Sequence, residues 1–222
     1  MKDASINWIF FDMGGVILND DKPESLRQAA LLEVTQKFIP NITMEDIYNS
    51  WLAASQLPGS VRINALREMF KNSAHLEIAE AEYISVCNYN YHALSYIRPD
   101  AKEVLTELSK SYNLGIMANQ NIKTMTLLET AGLLPYFSHQ KMSDHIGLQK
   151  PDPNFYLTIL QDSGAKPEES IIIDDNWYRG LLPAKNLGMS TVLYERDIIP
   201  YPNTAQPNFR VTNLKDLFKI FI

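Results

Sequence analysis

The sequence predicts an α/β protein, a parallel-sheet core carrying an inserted helical subdomain. Three observations carry that prediction. The run Trp8-Ile9-Phe10-Phe11 leads straight into Asp12 and the pair Gly14-Gly15, which reads as a buried strand delivering a carboxylate to its carboxyl end. From Arg98-Pro99 onward, short apolar runs alternate with helical patterns of about 10 to 15 residues, the rhythm of right-handed βαβ units. Between these two regions, residues 19 to 96 carry helical spacing of apolar residues with no convincing strand.

In chain order, the first strand is Trp8 to Phe11, followed by a tight glycine loop. Helices are expected over Pro23 to Phe38, Met44 to Ala54, Ile63 to Phe70 and Glu80 to Leu94. Thr43-Met44-Glu45-Asp46 reads as a helix start with acidic residues in its first turn, and Pro58-Gly59-Ser60 as a turn between helices. Tyr83, Tyr89, Tyr91 and Tyr96, with Trp51 and Phe70, read as helix-packing residues, a minority of them facing a pocket over Asp12. The alternating region gives a helix at Ala101 to Ser111, a strand at Leu114 to Ala118, a helix at Ile122 to Ala131 and a short strand at Tyr136 to Lys141. A helix at Asn154 to Gln161, a strand at Ser170 to Asp174, a helix at Tyr178 to Leu187 and a strand at Ser190 to Tyr194 follow. The tail Leu214 to Phe221 reads as a final helix. Domain boundaries are therefore placed at 1–18 with 97–222 for the core, and 19–96 for the helical insert.

Composition excludes several function classes. A net charge of −6 and a pI near 5.2 give no basic face, so no nucleic-acid partner is expected. No apolar run approaches the roughly 20 residues of a membrane span, so no membrane partner is expected either. The single Cys87 permits no internal disulfide, and Met1-Lys2-Asp3-Ala4-Ser5 leads directly into a strand and not into the apolar region of a signal peptide. The expectation is a cytoplasmic protein. Oligomeric state is not readable from the chain.

Polar groups recur where strands end. Asp12 follows the first strand, Asn119 follows Leu114 to Ala118, and Asp174-Asp175-Asn176 closes Ile171-Ile172-Ile173. Lys150-Pro151 follows a loop containing Gly147. In open parallel sheets the site lies outside these carboxyl ends, and the Gly14-Gly15 pair lets a ligand approach the backbone closely. Taken singly, Asp12 and Asp174-Asp175 also read as caps, Lys150 as a solvated loop lysine and Asn119 as a turn residue. Their repetition at successive strand ends argues for a site. Adjacent carboxylates after a buried isoleucine run repel unless a cation or a lysine is present; Mg²⁺ with oxygen ligands is one solution and Lys150 the other.

The ordered set Asp12-x-Gly14-Gly15-Val16, Asn119, Lys150-Pro151-Asp152-Pro153 and Asp174-Asp175-Asn176 resembles the haloacid dehalogenase superfamily over the whole chain. The nearest flavour is that of small sugar-phosphate phosphatases with an Asp-x-Gly-x-Val first motif. The resemblance implies a Rossmann-like core with a helical cap inserted after the first strand. It implies Asp12 as nucleophile, forming and then losing an aspartyl-phosphate. It implies Mg²⁺ as cofactor, held by the Asp12 side chain, the Gly14 carbonyl and Asp175 with Asp174 beside it, and a phosphoryl group bound by Asn119 and Lys150.

The departures from the pattern are also informative. Phosphatases of this kind place a second Asp two residues after the nucleophile to protonate the leaving group, and here that residue is Gly14. Such proton transfer contributes roughly 10² to 10⁴ in rate. Ala118 replaces a Ser or Thr, which removes one phosphate hydrogen bond, and Arg179 replaces an acidic or Asn residue. Three readings follow: a Mg²⁺-dependent phosphatase acting on a small phosphorylated metabolite, a metal-independent dehalogenase-type hydrolase, and a catalytically weakened binding or regulatory protein. The Asp174-Asp175 pair favours the first, because dehalogenases normally replace the metal carboxylate by serine.

Overall fold

A computed structural model describes residues 6–71, 73–198 and 201–222; the opening Met1 to Ser5 lies outside the described residues. Five parallel strands form one sheet in the order β4-β1-β5-β6-β7, with β1 at Trp8–Phe11, β4 at Asn113–Ile116, β5 at Ser170–Asp174, β6 at Ser190–Tyr194 and β7 at Phe209–Val211. A separate two-stranded antiparallel ribbon pairs β2 (Leu18–Asn19) with β3 (Tyr96–Ile97), where the chain leaves the sheet and where it returns. Arg98 anchors that return, its guanidinium donating to the carbonyls of Val16 and Gly15 at 3.0 and 2.9 Å.

The sheet is buried on both faces, and strand alternation decides which residue goes where. Ile9, Phe11, Ile171 and Ile173 join one core with Ala101, Val104, Leu105 and Leu108 of α6 (Ala101–Leu108). Phe10 and Ile172 face the other side, against Phe155, Tyr156 and Ile159 of α9 (Pro153–Ser163). The β1 ladder continues past its formal end, since the Asp12 amide donates to the Ile173 carbonyl at 2.9 Å and the Met117 amide to the Phe11 carbonyl at 2.9 Å. The residues just beyond β1, β4 and β5 are thereby brought to one edge.

Between β2 and β3 lie α1 (Asp21–Gln36), α2 (Met44–Ala54), α3 (Val61–Met69), α4 (Leu76–Val86) and the short α5 (Tyr91–Leu94). They share a core of their own that includes Leu31, Val34, Ile47, Trp51, Leu66, Phe70 and Tyr83. Thr43 caps α2 in a reciprocal box with Asp46, and Ser60 caps α3 by accepting from the Ile63 amide. The expected Glu80 to Leu94 helix is instead two, broken before Tyr91. The remaining helices are α7 (Ile122–Thr130), α8 (Ser143–Ile146), α10 (Leu182–Asn186) and α11 (Phe218–Phe221). Among the described residues no helix is long and apolar enough to cross a membrane.

Three further expectations need correction. Tyr136 to Lys141 is not a strand: Leu134–Tyr136 forms a 3₁₀ turn and only His139 bridges to Gly115. Pro135 has no amide to give a ladder, and Gln140 turns its side chain back onto the Leu134 and Phe137 carbonyls. Tyr178 to Leu187 is not one α-helix: Trp177–Leu181 is a π-helical turn and α10 begins at Leu182. Pro183 cannot donate to the Arg179 carbonyl. The buried Tyr156 hydroxyl does so in its place, at 2.7 Å, and also reaches the Gly180 carbonyl at 2.9 Å. The predicted tail helix starts as a 3₁₀ turn, Leu214–Leu217, before α11.

Candidate active site

Asp12, Asn119, Lys150, Asp174 and Asp175 converge at the carboxyl edge of the sheet, where they line a cavity of about 740 Å³ between the sheet and the helical region. One carboxylate oxygen from each of Asp12, Asp174 and Asp175 lies within 4.8 Å of the others. Lys150 is only 3% exposed and joins two of them, its Nζ donating to Asp12 Oδ1 at 2.8 Å and to Asp174 Oδ2 at 2.5 Å. Asn119 holds that lysine in place through the backbone: its Oδ1 accepts from the Lys150 amide at 2.8 Å and its Nδ2 donates to the Lys150 carbonyl at 3.1 Å. Both polar ends of Asn119 are thus engaged with Lys150.

Close packing fixes the carboxylates. Asp174 Oδ1 accepts from the Asn176 amide at 2.8 Å, and a Cβ on Gly180 would lie 2.1 Å from the Asp174 carboxylate carbon. Only glycine fits there. Gly15 has φ of +77°, and a Cβ on it would come within 2.2 Å of Asp175 Oδ2 and 2.3 Å of Arg196 Nη1, so it serves a tight turn under these two side chains. Gly14 lines the cavity itself. The space into which a side chain at position 14 would project is already filled, by Asp20 Oδ2 and Gln120 Nε2 at 3.2 Å and Tyr91 Oη at 3.4 Å from the Cβ site. The Tyr91 hydroxyl donates to Asp20 Oδ2 at 2.5 Å.

Arg196 is the residue that sequence reasoning missed. It is 8% exposed and donates to Asp175 at 2.5 Å, to Asp20 at 2.6 Å and to Asp21 at 2.6 Å. It belongs to no recognised motif, yet it lies two residues beyond the end of β6, where the strand-end rule that selects Asp12 and Asp174 also points. Arg179, the residue that replaces an acidic or Asn residue of the family pattern, spans from the π-helical turn to the helical region, donating to the carbonyls of Leu57 at 3.0 Å and Gly59 at 2.8 Å. Ala118 is fully buried.

The electrostatics of this edge favour a dication. Burial first, then the Asp174 and Asp20 charges, lift Asp12 well above the ordinary carboxylate range against the opposing pull of Lys150. Asp175 is raised in the same way, by burial and by Asp174, Asp12 and Asp20, against Arg196. Lys150 and Arg196 therefore leave Asp12 and Asp175 under-compensated. An all-oxygen donor set with excess negative charge suits a hard divalent ion that takes few protein carboxylates.

A family description, haloacid dehalogenase-like hydrolase, matches residues 6–188, and the chain belongs to that family. It is a hydrolase of this class, with the parallel α/β core the class is built on. It is 28% identical over 201 residues to the glyceraldehyde 3-phosphate phosphatase of Pyrococcus furiosus, covering 86% of this chain and 81% of that protein. A HAD phosphatase from Thermococcus onnurineus superposes with a TM-score of 0.61 at 20% identity, covering 97% of each chain. A 2-haloacid dehalogenase from Pseudomonas syringae pv. tomato does so with a TM-score of 0.59 at 18% identity, again covering 97% of each. The fold is common to both chemistries, so the side chains have to discriminate between them.

Proposed function

We propose that the chain is a Mg²⁺-dependent phosphatase acting on a small phosphorylated metabolite through an aspartyl-phosphate at Asp12. The observation that carries this reading is the convergence of Asp12, Asp174 and Asp175 within 4.8 Å around Lys150. Displacement of a halide by a carboxylate needs no such collection of acids. The relatedness to a phosphatase over 86% of the chain supports the same choice.

In this reading Asp12 Oδ1 is held by Lys150, and Oδ2 is the oxygen that attacks phosphorus. The bond from phosphorus to the leaving oxygen breaks, and water then cleaves the phosphorus bond to Asp12. Asp12, Asp175 and the Gly14 carbonyl would hold the metal, with Asp174 adjacent, and a bound Mg²⁺ would supply charge neutralisation for the carboxylates and the phosphoryl group. Lys150 binds a phosphoryl oxygen, kept on station by Asn119. Residues 19–96 act as the cap and 1–18 with 97–222 as the catalytic core. The lone Cys87 is in keeping with a reducing, cytoplasmic setting.

The test is hydrolysis of p-nitrophenyl phosphate with and without Mg²⁺, beside halide release from 2-chloropropionate. Metal-dependent phosphate release is expected, with aryl phosphates favoured over alkyl phosphates because position 14 supplies no acid. Metal-independent halide release with no phosphatase activity would sink the proposal.

A further inference from the structure

The side of the cavity formed by the helical region has the opposite charge to its floor. Arg27 and Arg62 both rest on one carboxylate oxygen, Glu24 Oε2, at 3.3 and 2.5 Å. One carboxylate therefore serves two guanidinium groups. Each guanidinium lies over an aromatic ring, Arg27 at 4.7 Å from the centroid of Tyr91 and Arg62 at 5.4 Å from that of Trp51. The Arg62 side chain lines the cavity, while its Nε is buried with no hydrogen-bond partner.

Arg179, from the π-helical turn, adds a further cation to the lining of the same cavity. Its guanidinium is bound by the Leu57 and Gly59 carbonyls, neutral acceptors, with no carboxylate partner among the described residues. Those carbonyls belong to the turn that leads through Ser60 into α3, whose first turn contains Arg62. Arg62 and Arg179 are thereby gathered around one short segment. Burial above all, with the Arg62 charge adding to it, outweighs the pull of Asp174 and Asp12 and makes the protonated Arg179 less favourable than usual.

We infer that the substrate carries a second anionic group, a carboxylate or a further phosphate, which Arg62 and Arg179 bind while its phosphoryl group sits at Asp12. This rests on the phosphatase reading for the floor, whereas the wall is argued from its own charges. Guanidinium groups are suited to either anion, since their planar donors match paired oxygens.

Glycerol 3-phosphate and 3-phosphoglycerate share one phosphoester and differ where the first has a hydroxymethyl group and the second a carboxylate. Their binding to the full-length Asp12→Asn protein in Mg²⁺, measured by calorimetry, needs no turnover. The expectation is about 10-fold to 100-fold tighter binding of 3-phosphoglycerate, the range of a charged hydrogen bond. That ratio should fall toward one when Arg62→Gln or Arg179→Gln is added. Arg62→Gln strips a partner from buried Glu24 and risks misfolding, so Arg179→Gln, which touches only carbonyls, provides the second test. Equal affinities, no binding of 3-phosphoglycerate, or a ratio that survives Arg179→Gln in a folded protein overturns the inference. Wild-type hydrolysis of both esters without any binding preference overturns it and leaves the phosphatase reading intact. Discrimination in binding by a protein with no phosphatase activity does the reverse.

Discussion

At the sheet edge, charged side chains far apart in sequence are locked together out of water: Lys150 with Asp12 and Asp174, and Arg196 with Asp20 and Asp175, every one of them no more than 15% exposed. Ion pairs in the helical region are mostly of another kind. Lys37 with Glu82 and Arg67 with Glu80 link helices at the surface, the two cations 46% and 57% exposed. Water screens such pairs, which contribute about 0 to 1 kcal/mol. Buried charges, in contrast, hold one another in a single geometry because none can turn to solvent. In the proposed reading the sheet edge is the rigid partner that positions reacting groups, while the helical region is held by its own apolar core and contributes buried charge where Glu24, Arg27 and Arg62 face the cavity.

The sharpest test of this contrast is at the floor. Asp12→Asn keeps the shape but removes the attacking carboxylate, and phosphatase turnover is expected to fall by roughly 10⁴-fold or more, as when a nucleophile is lost elsewhere. Retained turnover would mean that Asp12 is not the nucleophile. Lys150→Met leaves Asp12 and Asp174 without their shared cation and should destabilise by about 3 to 5 kcal/mol in urea unfolding. Arg67→Met, its surface counterpart, should change stability by about 1 kcal/mol or less. Similar losses from the two variants would erase the distinction between floor and surface.

Metal removal probes the same excess of negative charge. If the carboxylate cluster binds Mg²⁺ in the folded state alone, the ion stabilises by about 2.7 kcal/mol at 100 times its dissociation constant. A thermal melt of chelator-treated protein should rise with millimolar Mg²⁺, and the rise should disappear in Asp175→Asn. A melting curve indifferent to Mg²⁺ in demonstrably metal-free protein contradicts the assignment of Asp12, Asp174 and Asp175 as ligands.

How legible all this was in the sequence depends on range. The strands around Phe10 and Ile172 were readable because burial on both faces demands short, wholly apolar runs, and the edge residues Asp12, Asn119 and Asp174 follow from where those runs stop. Lys150 was readable as a cation that such a collection of acids requires. Arg196 was not, because its partners Asp20 and Asp21 lie 176 and 175 residues away and only the folded chain brings them together. The loss of a side chain at Gly14 was visible, but not that Asp20, Gln120 and Tyr91 fill the space it leaves. The π-helical turn was hidden for a similar reason, since the donor replacing that of Pro183 is the Tyr156 hydroxyl, more than 20 residues upstream. Short-range spacing shows where a strand ends, and long-range contacts decide what meets there.

Glu24 is where the contrast between the two regions is narrowest, and it offers the smallest expected effect. Its carboxylate is 3% exposed, so burial alone would raise its pKa, but Arg62 and Arg27 outweigh burial and hold it below the ordinary value. A depressed folded-state pKa means that the charged form is favoured by folding. That contribution is fully present above the unfolded pKa of about 4.3 and is lost as pH falls through the lower folded value. Glu24→Gln should therefore cost about 1 to 3 kcal/mol at neutral pH, the range for a hydrogen bond to a charged group. Its stability curve should begin to approach that of the wild type as the pH drops below about 4.3, where the unfolded carboxylate takes up its proton, and meet it only below the depressed native value. Chemical denaturation at a series of pH values from 3 to 7 provides the check. A gap between the two proteins that stays constant across that range would place Glu24 among the surface charges, and would leave the sheet edge as the only part of the cavity held by buried ion pairs.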